Sequence, residues 1–280
     1  MRFTTKARRA LAATAAATLL VTGTLATASA ATAAPSPASI TKMAAIGDSI
    51  SQAAMSCSNL VLCMSNSWST GTASSVASHA SRMKSAGATS LRSYNNSVSG
   101  ADSADLAAQA QRAVRQGAQY VTVQIGANDA CASSVSAMTA TTTYRDNVKA
   151  ALDALAASDA EIFVASIPSL QRLYELNKGT VKARLAWATL RFCPSMLANP
   201  TSTKQADVDR RAAVQARVNE YNATLAELCA QTAKCRYDGG AVANYEFSKS
   251  DISTRDYFHP SVSGQASLSA VTWATTQWAS

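Results

Sequence analysis

Histidine is scarce in this chain of 280 residues, which contains only His79 and His259. The six cysteines include no Cys-x-x-Cys pair, so the common zinc-binding patterns are absent from the sequence. We therefore expect no metal site. Any acid–base chemistry by an imidazole must use one of these two histidines.

Charge is also sparse, since Asp, Glu, Lys and Arg make up 15% of the residues. Residues 1–33 hold four of the 25 Lys and Arg and none of the 17 Asp and Glu, which leaves a formal net charge of +4 for the rest. Beyond residue 33 the only adjacent basic pair is Arg210-Arg211. Nucleic-acid binding requires clustered basic residues, so we expect no nucleic-acid partner.

One long apolar run occurs, at residues 11–25, and no second run of membrane-spanning length follows. It comes after a basic start and before small-residue cleavage patterns such as Ala28-Ser29-Ala30. This order is typical of a secretory signal peptide, whereas a membrane span would be longer and less diluted by threonine. We predict that residues 1–33 are cleaved and that the protein is secreted as a monomer. We expect no stable membrane insertion and at most transient contact with a lipid surface.

Residues 34–39 are rich in proline, serine and alanine and are predicted to be a short flexible leader. No linker composition divides residues 40–280, so we predict one domain there. Strand-like and helix-like segments alternate, which predicts a single-domain α/β fold: a three-layer α/β/α sandwich around a mostly parallel sheet. The predicted strands are 43–46, 91–94, 120–125 and 161–166, the predicted helices are 67–85, 104–116, 143–157, 207–232 and 264–278, and 170–203 is predicted to be irregular.

Six cysteines in an exported chain predict three disulfides, for which fifteen pairings exist in principle. The close couples favour Cys57–Cys63 and Cys229–Cys235. The remaining pair is then Cys131–Cys193.

Three polar motifs follow predicted strands or lie near the C-terminus. Gly47-Asp48-Ser49 follows the first strand, Gly126-Ala127-Asn128-Asp129 follows the third, and Asp256-Tyr257-Phe258-His259 comes late in the chain. The carboxyl ends of parallel strands share one edge of a sheet, where sites of α/β proteins form. The sequence therefore predicts a site that contains Ser49 and Asn128.

Ser49 requires a base to become a nucleophile, and that base requires an orienting group. His259 is the candidate base, and Asp256, three residues before it, is the candidate partner. Candidate donors to an oxyanion are the N–H groups of Ser49 and Gly100 and the amide of Asn128. Taken singly, Gly100 is better explained as a turn glycine, Asn128 as a strand-end cap, and Asp256 and His259 as a turn cap and a surface histidine.

Together these motifs resemble the SGNH/GDSL hydrolase superfamily, especially its secreted actinomycete (Streptomyces-type) esterases and lipases. Gly47-Asp48-Ser49-Ile50 is similar to the first block, with isoleucine in place of the usual leucine. Gly100 is similar to the second block, Gly126-Ala127-Asn128-Asp129 to the third, and Asp256-Tyr257-Phe258-His259 to the fifth. The resemblance implies Ser49 as nucleophile, His259 and Asp256 as its partners, and an oxyanion hole of Ser49, Gly100 and Asn128. It also implies sequential disulfides, and no cofactor.

Some secreted relatives orient the histidine with a backbone carbonyl, which is the alternative to Asp256. Asp48 and Asp129 flank the predicted site, and we interpret both as structural groups that bond nearby backbone. His79 is predicted to be a packed or surface histidine.

Two further segments have alternative interpretations. The apolar residues of the first segment either pack in the core or form a groove or mobile cover for an acyl chain. The residues of the second segment are candidates for lining the substrate site. The first set is Trp187, Leu190, Phe192, Met196 and Leu197, and the second is Arg172, Leu173 and Tyr174.

The predicted function is a secreted carboxylic-ester hydrolase, an esterase or lipase whose substrates include phospholipids or lysophospholipids as candidates. A carbohydrate O-deacetylase with the same chemistry is the alternative. A catalytically inactive binding protein on the same fold is an alternative of another class, and a serine peptidase is a third.

Overall fold

The structure is a computed structural model that describes residues 1–3 and 34–279. The predicted signal peptide falls on residues 1–33 and lies, apart from its first three residues, outside the described residues. Residues 34–280 form one compact unit. In the predicted leader, Pro37–Ser39 forms a 3-10 turn and Trp278 Nε1 donates to the carbonyl of Pro35 at 2.7 Å.

The described part of this unit contains five strands and nine α-helices, together with five short 3-10 helices. The strands are β1 Lys42–Gly47, β2 Arg92–Asn95, β3 Tyr120–Gln124, β4 Glu161–Val164 and β5 Cys235–Tyr237. The helices are α1 His79–Ser85, α2 Leu106–Gln116, α3 Ala127–Ala130, α4 Thr141–Ala156, α5 Leu170–Asn177, α6 Val181–Leu190, α7 Pro194–Leu197, α8 Gln205–Gln231 and α9 Val262–Trp273.

All strand pairs of the sheet are parallel, in the order β2-β1-β3-β4-β5. The chain runs outward from β1 to β2 and then returns to β3 on the other side of β1, so the direction of winding changes between β1 and β3. Ligand sites of such sheets form beyond the carboxyl ends of the two strands at this switch point. Ser49 lies two residues beyond the end of β1, and Asn128 lies four residues beyond the end of β3.

Helices cover both faces of the sheet. On one face α2 packs on α4 and α4 on α8. On the other face α1 and α9 meet through His79, whose Nε2 lies 2.8 Å from Thr272 Oγ1. All five residues of β3 are buried, as expected for a central strand covered on both sides. The predicted three-layer α/β/α fold is confirmed.

Two segment predictions were wrong. Residues 67–78 are turns and only 79–85 are helical, because the backbone folds tightly at Gly71, where a Cβ would lie 2.4 Å from the Ser67 carbonyl oxygen. The segment 170–203, predicted to be irregular, contains α5, α6 and α7. Proline and glycine between these short helices conceal their periodicity in the sequence.

Three disulfides join Cys57 to Cys63, Cys131 to Cys193 and Cys229 to Cys235. The second of these ties the end of α3 to the start of α7. Among the described helices, none combines the length and apolar character needed to cross a membrane.

Candidate active site

Ser49 lies in the turn that follows β1, and Gly47 fixes how the chain enters this turn. The Gly47 N–H donates to Gln109 Oε1 at 2.7 Å, and the Gly47 carbonyl accepts from Gln109 Nε2 at 3.0 Å. Gly47 has φ 142°, and a Cβ there would lie 2.1 Å from the carbonyl oxygen of Gln124 on β3. Only glycine therefore fits directly before the Asp48-Ser49 pair.

Asp48 shapes the same turn and does not reach the histidine. Its Oδ1 accepts from the Ile50 N–H at 2.8 Å, and its Oδ2 has no hydrogen-bond partner among the described residues. Burial raises the pKa of Asp48 from 3.8 to about 6. Asp129 likewise accepts from the Ser103 N–H at 2.9 Å and from Ser103 Oγ at 2.6 Å, and burial raises its pKa. Both contact sets agree with a structural role.

His259 is carried by a tight loop between Ile252 and Pro260, which form an antiparallel bridge. The Ser253 N–H donates to the His259 carbonyl at 2.8 Å. Tyr257 adopts a left-handed conformation with φ 58°, which lets the chain reverse within this short span. The loop thus presents the ring of His259 toward the end of β1.

The loop brings three predicted site residues together. His259 Nε2 lies 2.8 Å from Ser49 Oγ, and His259 Nδ1 lies 2.6 Å from Asp256 Oδ2. Asp256 is completely buried, and its other oxygen accepts from the N–H groups of Phe258 and His259 at 3.0 and 3.1 Å. These are the contacts that a hydroxyl, a base and an orienting carboxylate require.

Asn128 lies at the start of α3, beside the loop that contains Gly100. Its Nδ2 donates to the carbonyl of Ala101, the neighbour of Gly100, at 2.7 Å. Gly100 is exposed, has φ 82° and does not line the cavity at Ser49. Within residues 34–279 neither the Ser49 N–H nor the Gly100 N–H donates to another protein group. Both backbone donors are therefore free for a ligand.

A cavity of about 40 Å³ opens beside Ser49, His259 and Asn128. Its walls are mainly apolar, which suits the carbon chain of an acyl group. The apolar residues of the wall are Ile50, Ala127, Pro168, Leu170, Leu173, Phe247, Ile252, Phe258 and Pro260. A larger groove, of about 810 Å³, contains neither Ser49 nor His259 and borders an adjacent face of α5. The predicted site residues Ser49, Asn128 and His259 therefore line the smaller cavity.

Residues of the 187–197 segment support the histidine loop. Trp187 is buried and its Nε1 donates to the Tyr257 carbonyl at 3.1 Å. Phe192 stacks on Phe258 with ring centroids 5.3 Å apart and meets the His259 ring edge to face at 5.8 Å. Met196 and Leu197 are buried in the core, whereas Leu190 is exposed.

Of the three other candidates to line the substrate site, only Leu173 does so. Arg172 Nε donates to the Phe247 carbonyl at 2.9 Å and thereby holds one wall of the cavity. Tyr174 faces the larger groove. It donates from its hydroxyl to the Pro200 carbonyl at 2.9 Å.

His79 is a core residue far from this chemistry. It is completely buried, with Nδ1 2.8 Å from the Tyr120 hydroxyl and Nε2 2.8 Å from Thr272 Oγ1. Burial lowers the pKa of His79 to about 3, so the ring is neutral at ordinary pH.

Sequence reasoning missed two buried glutamines that hold the serine turn. Gln109 brackets Gly47, as described above. Gln265 of α9 donates from Nε2 to the Ile50 carbonyl at 2.8 Å and accepts from the Trp68 N–H at 2.9 Å. Neither residue stands in a recognisable motif, so no local signal could have identified them.

Solved structures share this fold at low sequence identity. A mutant of Axe2, an acetyl-xylooligosaccharide esterase from Geobacillus stearothermophilus, matches at 16% identity with a TM-score of 0.56, covering 88% of this chain and 99% of that one. LAE5, an alpha/beta hydrolase enzyme from the metagenome of Lake Arreo, matches at 18% identity with a TM-score of 0.53, covering 84% and 96%. No curated protein matches the chain in sequence.

A family model provides the functional assignment. The model of the GDSL-like lipase/acylhydrolase family matches residues 45–266, a span that begins before Ser49 and ends after His259. The chain belongs to the GDSL-like lipase/acylhydrolase family and is a carboxylic ester hydrolase.

Proposed function

We propose that this chain is a secreted serine esterase or lipase that works through a Ser49–His259–Asp256 triad and an acyl-enzyme. The observation that carries the proposal is the hydrogen-bonded series in which His259 Nε2 lies 2.8 Å from Ser49 Oγ and His259 Nδ1 lies 2.6 Å from Asp256 Oδ2. A serine hydroxyl becomes nucleophilic when a base at this distance takes its proton.

In the first half of the reaction, Ser49 Oγ attacks the ester carbonyl while its proton moves to His259 Nε2. The buried carboxylate of Asp256 stabilises the imidazolium that forms. Two donors that line the cavity, the Ser49 N–H and the Asn128 amide, stabilise the oxyanion, and the Gly100 N–H on the neighbouring loop, outside the cavity lining, is the proposed third donor. His259 then gives its proton to the leaving alcohol, and the acyl group stays on Ser49.

In the second half, a water molecule gives its proton to His259 and attacks the acyl-enzyme. Collapse of the second tetrahedral intermediate breaks the ester bond to Ser49, and the proton returns from His259 to Ser49 Oγ. The carboxylic acid leaves and the resting enzyme is restored. No metal or organic cofactor takes part in this sequence.

A fluorophosphonate probe and a soluble p-nitrophenyl ester together test the nucleophile. We expect the probe to label Ser49, and Ser49→Ala to lose both labelling and ester hydrolysis. Ser51→Ala is the matched control, because Ser51 is also buried in this turn and its hydroxyl has no hydrogen-bond partner among the described residues. Equal activity of Ser49→Ala and wild type would refute the proposal.

The substrate is proposed to be an ester with an apolar acyl group, including lipid and phospholipid esters, because the walls of the cavity are apolar. The second candidate is a carbohydrate O-deacetylase. It is favoured by the small cavity volume of about 40 Å³, which fits an acyl group of few carbons. A chain-length series of p-nitrophenyl esters separates the two. Activity confined to acetate, with release of acetate from acetylated xylan, would favour the deacetylase.

We also propose that residues 1–33 are a cleaved signal peptide and that residues 34–39 are a flexible leader. We propose that the catalytic domain, residues 40–280, is secreted as a monomer. We assign the enzyme to the secreted actinomycete (Streptomyces-type) group of this family. The basic start followed by the apolar run at 11–25 supports export, and three disulfides suit an oxidising compartment. N-terminal sequencing of protein from the culture medium tests the cleavage site. A mature chain that still begins at Met1 would contradict it.

A further inference from the structure

Exposed apolar side chains are concentrated in one loop next to the candidate site. Among residues 34–279, nine large apolar side chains are exposed, and four of them lie in the segment 57–64, here called the apolar loop. Leu60 is 61% exposed and Val61 56% exposed. The loop contains no charged residue. Single exposed apolar residues are common on protein surfaces, whereas a contiguous group marks a binding surface.

The apolar loop is fixed to the segment that carries the catalytic histidine. The disulfide Cys57–Cys63 closes its base, and the Met55 N–H donates to the Val61 carbonyl at 2.6 Å. Arg255 Nη1 donates to the Cys57 carbonyl at 2.8 Å, and Arg255 directly precedes Asp256. The exposed side chains are therefore held at a set position beside the His259 loop.

A basic groove of about 390 Å³ adjoins the apolar loop at Cys57 and Ser58. Lys249 and Arg255 line it together with serine and threonine residues, and no carboxylate residue is among the lining residues. The nearby Asp251 is buried and accepts hydrogen bonds from Ser248 and from Ser263. Four of the serine hydroxyls that line the groove donate to protein acceptors, and Arg255 Nη1 donates to the Cys57 and Leu60 carbonyls. Lys249, with no carboxylate among the lining residues to oppose it, is therefore the cation suited to a phosphate group.

We propose that the apolar loop and the basic groove together form a docking surface for an anionic phospholipid bilayer. Leu60 and Val61 enter the acyl region, while Lys249 meets headgroup phosphates. A bilayer presents an anionic layer directly above an apolar one, which matches an uncharged apolar tip beside a basic, hydroxyl-rich groove. The proposal deepens the proposed function and rests on it, because docking there would bring lipid esters to Ser49.

Vesicle binding tests the surface separately from catalysis. The mature chain, residues 34–280, carrying Ser49→Ala is sedimented with vesicles of phosphatidylcholine alone and with vesicles containing one quarter phosphatidylglycerol. We expect binding to the anionic vesicles. Leu60→Ser combined with Val61→Ser should weaken the partition coefficient at least about ten-fold, because two large side chains no longer enter the acyl region. Lys249→Gln should weaken it about five-fold on anionic vesicles only.

The matched control replaces Val181 and Leu185, which are each 68% exposed but lie on α6. Serine at both positions should leave vesicle binding unchanged. The proposal is overturned if the starting protein does not bind anionic vesicles, or if the control weakens binding as much as the Leu60/Val61 pair. It is also overturned if light scattering shows a dimer that only the Leu60/Val61 change dissociates, while vesicle binding is unaffected.

Thermal unfolding verifies that each variant is folded. If the Leu60→Ser/Val61→Ser variant is not folded, the comparison of Lys249→Gln with the starting protein on the two kinds of vesicle is the test. Vesicle binding by a chain whose wild type hydrolyses no ester would overturn the proposed function and leave the docking surface standing. Hydrolysis of soluble esters by a chain that does not bind vesicles would overturn the docking surface and leave the proposed function standing.

Discussion

The carboxylate of Asp256 is completely buried and lies 2.6 Å from His259 Nδ1. Its second oxygen accepts from two backbone N–H groups of the same loop, Phe258 and His259. The carboxylate thus contacts both the loop backbone and the ring, as required of an orienting group in the proposed triad, where it would favour the tautomer whose Nε2 accepts the Ser49 proton.

We expect Asp256→Asn to lower kcat about 10²- to 10⁴-fold, because an amide in this place favours the wrong tautomer and cannot stabilise an imidazolium. The measurement is kcat on a soluble p-nitrophenyl ester. Asp251→Asn is the control, since Asp251 is a buried aspartate bonded to serines, and this change should affect stability but not kcat. A kcat for Asp256→Asn within ten-fold of wild type would instead favour a backbone carbonyl as the orienting group.

Asn128→Ala tests the oxyanion donor. One hydrogen of Asn128 Nδ2 is used by the Ala101 carbonyl at 2.7 Å, and the other is available at the cavity. Loss of one such donor lowers kcat about 10²- to 10³-fold with a smaller effect on KM. Asn147→Ala is the matched control, because Asn147 also makes one side-chain hydrogen bond, to Ser103 Oγ at 3.0 Å, outside the cavity. Similar kcat values for the two variants would exclude Asn128 as a donor.

Gly47→Ala tests the close approach of β1 and β3. The added Cβ would lie 2.1 Å from the Gln124 carbonyl oxygen at a backbone angle that alanine rarely adopts, so we expect destabilisation of about 3 kcal/mol or more. Gly179→Ala is the control, since no atom lies within 4 Å of its added Cβ, and we expect a change below about 1 kcal/mol. Urea unfolding measures both. A Gly47→Ala variant as stable as Gly179→Ala would contradict the reasoning.

The sequence was most informative where residue type is tied to position. The β-branched run at 120–125 predicted β3, and Gly117, which is left-handed with φ 68°, marks the end of α2 as expected. The candidate triad could be assembled because its motifs follow strand ends or lie within one loop. In each case a local pattern carries the structural information.

What could not be predicted depends on contacts between distant segments. Strand β5 has three residues, too few to show alternation, and it is placed by pairing with β4 and by the disulfide from Cys235 to α8. Gln109 and Gln265 act through contacts more than sixty positions away. Such long-range partners leave no periodic signal in a single sequence.

His79 is the group for which burial makes the clearest pH prediction. Its pKa falls from an ordinary 6.5 to about 3 in the folded protein, because burial disfavours the charged ring. Below pH 6.5 the unfolded chain binds a proton that the folded chain does not. The contribution of the buried neutral ring to the free energy of unfolding is therefore fully present above pH 6.5 and is lost as the pH falls toward 3. The loss amounts to at most about 5 kcal/mol.

His79→Gln should remove this acid dependence. At pH 7 the variant is expected to be less stable than wild type by about 1 to 3 kcal/mol, because the hydrogen bonds to Tyr120 and Thr272 are disturbed. Between pH 6.5 and 3 the difference should shrink, since only the wild type loses the contribution of a buried neutral histidine. Thr272→Val is the control, because it removes a partner but leaves His79 buried and should keep the wild-type slope. Urea unfolding at several pH values measures the slopes, and parallel slopes for His79→Gln and wild type would show that His79 does not set the acid dependence.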